Sequence, residues 1–235
     1  MTGRRPTAVV FDVVETLFSL RPVNGALEEA GAGPRGGDLF FARLLRDGFA
    51  LAAAGGQRSF RDLAAGAVAF VLPDASSYQR DRVLDEFARL PAQPDAEPAL
   101  ERLIGAGLQV VTLTNGGVEQ TSSLLEQAGL DRYIEQVLSV EGAGRWKPAP
   151  EPYRYAANSL GLAPNALALV AVHGWDVHGA HQAGLVTGWA SRLEGHFPET
   201  FDPPDVSGPD LVAVVDGLLA LPRPPTNPTG SIPPG

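Results

Sequence analysis

The chain lacks cysteine altogether, contains a single methionine and has only 19% charged residues. Without cysteine it can form no disulfide bond, has no thiol nucleophile and offers no thiolate to a metal. It also lacks an apolar stretch of the roughly 18 residues that a membrane-spanning helix needs. The short apolar run near the N-terminus is interrupted by Asp12 and Glu15, so it predicts a first strand and not a signal peptide. We therefore expect a cytoplasmic protein.

Basic residues are also scarce, and the formal net charge is −9. This balance argues against nucleic acid or an anionic membrane surface as the main partner, because both bind basic patches. What the chain does have is 44% apolar residues over 235 positions, which is enough to bury one large core. The composition is that of an ordinary globular protein.

Four apolar runs predict the strands of a parallel sheet. They lie within residues 8–20, 108–117, 166–176 and 184–192, and each ends in small polar residues, glycine or an acid. Continuous apolar runs bounded by turn residues suit strands that are covered on both faces. Helical patterns that end in glycine separate the later runs. This alternation predicts an α/β fold, a doubly wound parallel sheet.

Two segments depart from that alternation. Residues 21–90 contain three helical patterns with no strand between them, so we predict a helical insertion after the first strand. The sheet domain is then formed by residues 1–20 and 91–221. Residues 222–235 are rich in proline and poor in apolar side chains, which predicts a disordered tail.

Polar side chains follow the predicted strands, at the edge where ligands bind in open α/β sheets. They are Asp12 and Thr16 after the first strand, Thr114 and Asn115 after the second, and His173 and Asp176 after the third. Lys147 precedes a helix and could reach the same edge. It is the single lysine among 18 lysine and arginine residues. Because a compact ammonium and a planar guanidinium are not interchangeable in a tight site, its retention favours a function.

These residues occur in motifs that resemble the haloacid dehalogenase-like (HAD) hydrolase superfamily. The motifs are "FDVVETL", "LTNGG", "WKPAPEPY" and "HGWDVHGA", in the order that the superfamily has them and across residues 9–192. The resemblance implies a Rossmann-like core, with residues 21–90 as a cap that closes over the site.

The resemblance also implies a role for each motif residue. Asp12 would be a nucleophile that forms a covalent ester, and Lys147 would keep it ionised. Thr16 would brace the loop. Thr114 and Asn115 would orient the Asp12 carboxylate and bind the anionic group of the substrate. Asp176 would position or activate the water that hydrolyses the ester.

Val14 separates two branches of the superfamily. Metal-dependent phosphatases of this superfamily carry a second aspartate there as a general acid, and they add paired acids in the fourth motif to complete a Mg²⁺ site. Here the fourth motif has one acid, Asp176, and Val14 can donate no proton. The chain instead resembles the L-2-haloacid dehalogenases, whose halide leaves without protonation. This resemblance predicts a hydrolase of a small organic acid, with no metal and no cofactor.

Four positions depart from the dehalogenase pattern, one of them Ala171, which replaces a serine. Phe41 stands where a cap arginine receives the halide or carboxylate, and Arg43 or Arg46 could replace that arginine only by a change of register. His173 replaces an asparagine; it titrates near neutral pH in its ordinary state and could act as a general base. Glu15 replaces the common glycine and could bond to the cap or to the "TNGG" loop. The substrate contacts that we predict are Val14, Glu15, Phe41, Arg43, Gly116 and Trp175.

Two other functions stay open at this point. One is a Mg²⁺-dependent phosphatase-like hydrolase of a small phosphorylated metabolite. The other is a binding protein that keeps the fold without efficient chemistry, which the missing cap arginine would explain. The cap helices of related dehalogenases often pair, so a homodimer is a further expectation.

Overall fold

The computed structural model describes residues 3–223, and within them six parallel strands form one sheet. The strands are β1 (Ala8–Phe11), β2 (Gln109–Thr114), β3 (Gln136–Ser139), β4 (Leu167–Ala171), β5 (Val186–Ala190) and β6 (Val206–Gly208). Their order in the sheet is β3-β2-β1-β4-β5-β6. The predicted doubly wound parallel sheet is therefore confirmed. The predicted tail lies almost wholly outside the described residues.

Ten α-helices connect and cover these strands in the described part of the chain. They are α1 (Arg21–Glu29), α2 (Gly36–Ala53), α3 (Phe60–Val71), α4 (Ser77–Asp85), α5 (Ala96–Gly105), α6 (Val118–Ala128), α7 (Val140–Ala143), α8 (Pro150–Ser159), α9 (Gly174–Gln182) and α10 (Leu211–Ala220). Several begin where the sequence supplies a cap. The Ser59 hydroxyl accepts the Asp62 N–H at the start of α3, and Ser76 forms a capping box with Gln79 before α4.

The central strands are buried from end to end. All residues of β1, β4 and β5 are buried, and β2 is exposed only at Gln109. A strand covered on both faces must be apolar along its whole length, which is why these four were evident as apolar runs. Sequence reasoning missed the edge strands β3 and β6. Gln136 is exposed, and β6 has three residues, none of them fully buried.

Helices α1 to α4 lie between β1 and α5 in the chain, and α2 and α3 pack against the loop that carries Lys147. The Trp146 indole stacks on Phe60 with ring centroids 6.1 Å apart and donates its N–H to the Arg58 carbonyl at 3.0 Å. Gly48 of α2 lies so close that a Cβ there would be 2.5 Å from the Trp146 ring. Trp146 thus fixes α2 and α3 against the segment that leads to Lys147.

Among residues 3–223, no helix combines the length and the hydropathy needed to cross a membrane.

Candidate active site

The site lies where the central strands end. β1 is hydrogen-bonded to β2 on one side and to β4 on the other, so the residues that follow these three strands meet at one edge of the sheet. Asp12 follows β1, Thr114 ends β2, and His173 lies two residues after the end of β4. This position is the switch point at which open α/β sheets bind their ligands.

Lys147 forms the centre of a buried charge cluster. Its ammonium nitrogen lies 2.9 Å from Asp12 Oδ1, 2.6 Å from Asp176 Oδ2 and 2.9 Å from the Leu113 carbonyl oxygen. Lys147 and Asp176 are fully buried, and Asp12 is 5% exposed. Three acceptors therefore satisfy the three N–H groups of the lysine. Because the ammonium fits between two carboxylates, the geometry explains why an otherwise arginine-only chain has a lysine here.

The charges of this cluster shift one another's pKa values. Burial raises the pKa of Asp12, but the Lys147 charge and the hydrogen bond from His173 outweigh burial and hold that pKa below its ordinary value. Burial and the Asp12 charge raise the pKa of Asp176 despite Lys147. Burial opposes the charge on Lys147, yet the two carboxylates raise its pKa. Asp12 is thus held as the carboxylate, the form a nucleophile needs.

Both oxygens of Asp176 are occupied. Oδ2 accepts from Lys147, and Oδ1 accepts from the Tyr153 hydroxyl at 2.7 Å. Burial and the neighbouring Asp176 charge raise the pKa of Tyr153 well above its ordinary value, so its hydroxyl keeps the donated proton. Sequence reasoning assigned no role to Tyr153, although it ends the quoted "WKPAPEPY" motif. Its spacing of six residues from Lys147 was the available signal.

Thr16 binds the second oxygen of the Asp12 carboxylate. Its hydroxyl donates to Asp12 Oδ2 at 2.7 Å and accepts the backbone N–H of Val172 at 3.2 Å. It therefore ties the loop after β1 to the end of β4. This is the kind of bracing contact that the resemblance implies for Thr16.

Thr114 and Asn115 do not orient Asp12 through hydrogen bonds, and that part of the prediction is wrong. The Thr114 hydroxyl accepts the N–H of Gly116 at 2.9 Å, and the Asn115 side-chain oxygen accepts the backbone N–H of Lys147 at 3.1 Å. The Gly116 carbonyl in turn accepts from the Ser139 hydroxyl at 2.7 Å. These bonds hold the loop after β2 against the loop that carries the lysine.

His173 lies between two carboxylates. Its Nδ1 is 3.2 Å from Asp12 Oδ2, and its Nε2 is 3.0 Å from Glu15 Oε2. Since a carboxylate is an acceptor only, both ring nitrogens must carry protons. Burial lowers the pKa of His173, but the hydrogen bonds to Asp12 and Glu15 raise it to about 10. The prediction that His173 titrates near neutral pH is wrong for the unreacted site, where it is an imidazolium.

Glu15 has a left-handed backbone conformation, with φ of 64°, and is the one non-glycine residue with positive φ among residues 3–223. Such a conformation costs roughly 1–2 kcal/mol for a residue with a side chain. Its carbonyl is held by Gln93 Nε2 at 3.1 Å and Arg192 Nη2 at 3.0 Å. The expected bond from Glu15 to the cap or to the "TNGG" loop does not form; its carboxylate binds His173 instead. Glycine adopts this backbone conformation without strain, which explains why the dehalogenases that the chain resembles commonly have glycine at this position.

A cavity of about 20 Å³ lies against Asp12. Its lining residues are Asp12, Val14, Phe41, Leu45, Phe60, Thr114, Asn115, His173 and Trp175. Phe41 and Trp175 both stack on the His173 ring, with centroids 5.6 and 5.4 Å away. Leu45 and Phe60 line the cavity although neither is among the predicted contacts. Leu45 follows Phe41 by four positions on α2, which is the spacing of one helix face.

Neither Arg43 nor the alternative, Arg46, lines this cavity. The prediction of Arg43 as a substrate contact is therefore wrong. Arg43 Nε pairs with Asp47 Oδ2 at 2.9 Å, and its guanidinium lies 4.1 Å from the centroid of the Phe70 ring. Arg46 pairs with the same carboxylate at 2.7 Å. Gly116 is likewise absent from the lining.

A larger cavity of about 480 Å³ lies near the opposite edge of the sheet, beside Asn165, Gly184 and Asp205. It contains none of the predicted catalytic residues. The small cavity is the candidate active site because the buried, charged side chains that could act in catalysis lie against it. Within residues 3–223, no three histidine, aspartate or glutamate side chains converge as a ligand set for a metal ion.

Asp12 follows β1 at the switch point of a Rossmann-like sheet and is held there by a buried lysine and a threonine. This arrangement is typical of the class of hydrolases that use an aspartate nucleophile. A family model of the haloacid dehalogenase-like hydrolases matches residues 6–184. The chain belongs to the haloacid dehalogenase-like hydrolases, as the four motifs led us to expect.

The relatives belong to the L-2-haloacid dehalogenase branch. (S)-2-haloacid dehalogenase 4A of Burkholderia cepacia is 36% identical over 120 residues, or 51% of this chain and 52% of that protein. The structure of L-2-haloacid dehalogenase RSc1362 has a TM-score of 0.86 at 28% identity, covering 92% of this chain and 99% of that one. The dehalogenase of Xanthobacter autotrophicus with covalently bound chloropropionic acid has a TM-score of 0.80 at 25% identity, covering 90% and 97%.

Proposed function

We propose that the protein is a 2-haloacid dehalogenase that hydrolyses the carbon–halogen bond of a small organic acid. The observation that carries this proposal is the ionised Asp12 carboxylate, held by Lys147 and Thr16 against a small, largely apolar cavity. A nucleophile that is already charged needs no base for the first step. Val14 supports the assignment, because a departing halide needs no acid at that position.

The reaction proceeds in two displacements at Asp12. A carboxylate oxygen bonds to the carbon that carries the halogen, and the carbon–halogen electron pair leaves with the halide. Water then attacks the carbonyl carbon of the resulting ester, which releases a hydroxy acid and restores the carboxylate. Lys147 remains the counter-charge of both Asp12 and Asp176. The structure of the Xanthobacter autotrophicus relative contains chloropropionic acid covalently bound, which supports a covalent route for this chain.

The cavity is too small in this structure to hold a substrate. Its volume of about 20 Å³ is close to the space that one water molecule occupies, so the site must open before an acid can enter. Phe41 and Leu45 from α2 and Phe60 from α3 form one side of it. Movement of these two helices away from Asp12 is therefore the step that admits substrate.

Trp175 and Asn115 are the side chains that we assign to the anionic groups of the substrate. The Trp175 indole nitrogen is buried and has no hydrogen-bond partner among the described residues. An unpaired buried donor is costly unless a ligand satisfies it. Asn115 lines the same cavity, and its side-chain nitrogen forms none of the hydrogen bonds found within residues 3–223.

The test is a parallel assay of halide and phosphate release. Chloroacetate, (S)-2-chloropropionate and an aryl phosphate are incubated with the enzyme, with Mg²⁺ or with a chelator. We expect halide release from a chloroacid that the chelator does not reduce. Asp12→Asn should lose at least about 10³-fold in rate, whereas Asp38→Asn, on the exposed face of α2, should keep full activity. Mg²⁺-dependent phosphate release without halide release would overturn the assignment.

A further inference from the structure

The chain of contacts from Asp12 through His173 to Glu15 carries an inference about the second step, and it rests on the function proposed above. We propose that formation of the Asp12 ester converts His173 from a cation held by two carboxylates into the base that accepts a proton from the hydrolytic water. Glu15 is the positioning residue that holds the ring and its tautomer through this change.

Three contacts fix the orientation of the ring. Nε2 is held by Glu15 at 3.0 Å, and Phe41 and Trp175 both stack with the ring, at interplanar angles of 28° and 26°. Nδ1 therefore points at Asp12 Oδ2, 3.2 Å away. A water molecule that attacks the carbonyl carbon of an Asp12 ester comes within reach of Nδ1, which is the geometric requirement for a general base.

Asp176 is poorly placed for that role. Its two oxygens already accept from Lys147 at 2.6 Å and from Tyr153 at 2.7 Å, and the residue is fully buried. Neither of these donors changes charge when Asp12 is alkylated. Activation of water by Asp176 would require breaking one of the two bonds. His173, in contrast, loses its partner at Nδ1 in the step that creates the need for a base.

The charged groups around the ring determine how it responds. Asp12 and Glu15, from the segment after β1, bind the ring directly. Glu194, from the segment after β5, accepts the Gly174 N–H and lies near the ring. The Lys147–Asp176 pair lies on the far side of Asp12. Esterification removes the Asp12 charge and leaves Lys147 in place. The pKa of His173, about 10 in the free site, must then fall, because one of its two stabilising carboxylates is gone. With Glu15 still bound at Nε2, Nδ1 is the nitrogen that gives up its proton.

Protons balance over the two steps. In the first, the oxygen–carbon bond to Asp12 forms, the halide leaves with the electron pair, and His173 releases its Nδ1 proton to solvent. In the second, the oxygen of water bonds to the ester carbonyl carbon, and Nδ1 takes one proton. The substrate oxygen leaves the carbonyl carbon and takes the other proton of the water. The regenerated Asp12 carboxylate again faces a protonated His173, and the cycle has released one halide and one proton.

The experiment separates the two steps by rapid quench with (S)-2-chloropropionate. Halide release reports ester formation, and the mass of the intact protein reports the ester itself. His173→Gln should release about one equivalent of halide and then accumulate ester, with hydrolysis slowed by roughly 10²–10⁴-fold. His178→Gln is the matched control, since His178 is paired with Asp202 outside the site. This variant should behave like the wild type.

The pH profile tests the state of the ring, and Glu15→Gln gives a second, independent variant. Ester hydrolysis by the wild type should rise with pH and then level off, because the base must be neutral. In Glu15→Gln the midpoint should move to lower pH, because a neutral amide stabilises the imidazolium less. Wild-type hydrolysis rates in His173→Gln, or hydrolysis that falls as pH rises, would overturn the role of His173. No halide release by the wild type would instead refute the proposed function itself.

Discussion

Replacing Lys147 by methionine tests the charge cluster through folding stability as well as through activity. Methionine keeps much of the length of the side chain but removes the ammonium that both Asp12 and Asp176 touch. Each carboxylate has an oxygen within 2.9 Å of the same nitrogen, so the two groups are close neighbours, and two charges less than about 6 Å apart repel by roughly 3 kcal/mol at an effective dielectric constant of about 20. The hydrogen bonds that Lys147 donated are also lost, and removal of one partner from a buried pair generally costs about 3–5 kcal/mol.

Protonation of one carboxylate limits this cost and makes it depend on pH. The ordinary aspartate pKa is 3.8, so neutralising one aspartate takes about 4 kcal/mol at pH 7 and about 2 kcal/mol at pH 5, at about 1.4 kcal/mol for each pH unit. In the wild type the lowered pKa of Asp12 adds stability above pH 3.8, which is lost as the pH falls. The variant lacks that contribution. The difference in the free energy of unfolding between the two proteins should therefore shrink by about 2–3 kcal/mol from pH 7 to pH 5.

Urea unfolding at the two pH values measures this difference. Lys147→Met combined with Asp176→Asn removes the repulsion and should lose most of the pH dependence. Arg102→Met, at a half-exposed pair with Asp216, is the matched control and should cost less than about 1 kcal/mol at either pH. An equal destabilisation by Lys147→Met at pH 7 and pH 5 would refute the view that one ammonium holds two ionised carboxylates.

Three further predictions concern the contacts around this cluster. Tyr153→Phe removes a donor at 2.7 Å from Asp176. It should lower the free energy of unfolding by about 1–3 kcal/mol, measured by urea unfolding. In steady-state kinetics it should reduce kcat more than it changes KM. Gly48→Ala would force a Cβ against Trp146 and should cost about 1–3 kcal/mol, seen as a lower Tm; an unchanged Tm would contradict the close approach of α2. His173→Asn should destabilise the protein most below pH 6.5, and the loss should disappear as pH rises through about 10, because a raised pKa adds stability only while the folded state holds the proton.

The part of the site that the sequence predicted is the part fixed by strand ends. Asp12, Thr114 and Asp176 follow apolar runs that are buried in β1, β2 and β4. Such runs are recognisable without tertiary information, and parallel strands bring their carboxyl ends together at one edge. The edge strands β3 and β6 were not predicted, because short and partly exposed strands have no continuous apolar pattern.

The direction of side chains could not be predicted in the same way. Arg43 follows Phe41 by two residues, and on an α-helix that separation is about 200°. Because Phe41 faces the cavity, Arg43 must face away from it. The rotation of α2 about its axis decides which of the two residues faces the cavity, and the sequence does not give that rotation. The bond from Glu15 to His173 depends on a positive φ that a glutamate rarely adopts.

A single turnover in heavy-oxygen water tests the central claim most directly. With enzyme in excess over (S)-2-chloropropionate, the account predicts that the new oxygen of the product comes from the Asp12 carboxylate. Water attacks the ester carbonyl carbon, so the heavy oxygen should appear in the peptide that contains Asp12. Mass spectrometry of that peptide and of the product gives the answer. Heavy oxygen in the product of the first turnover, with none in the peptide, would mean that water attacks the substrate directly and would contradict the assignment of Asp12 as nucleophile.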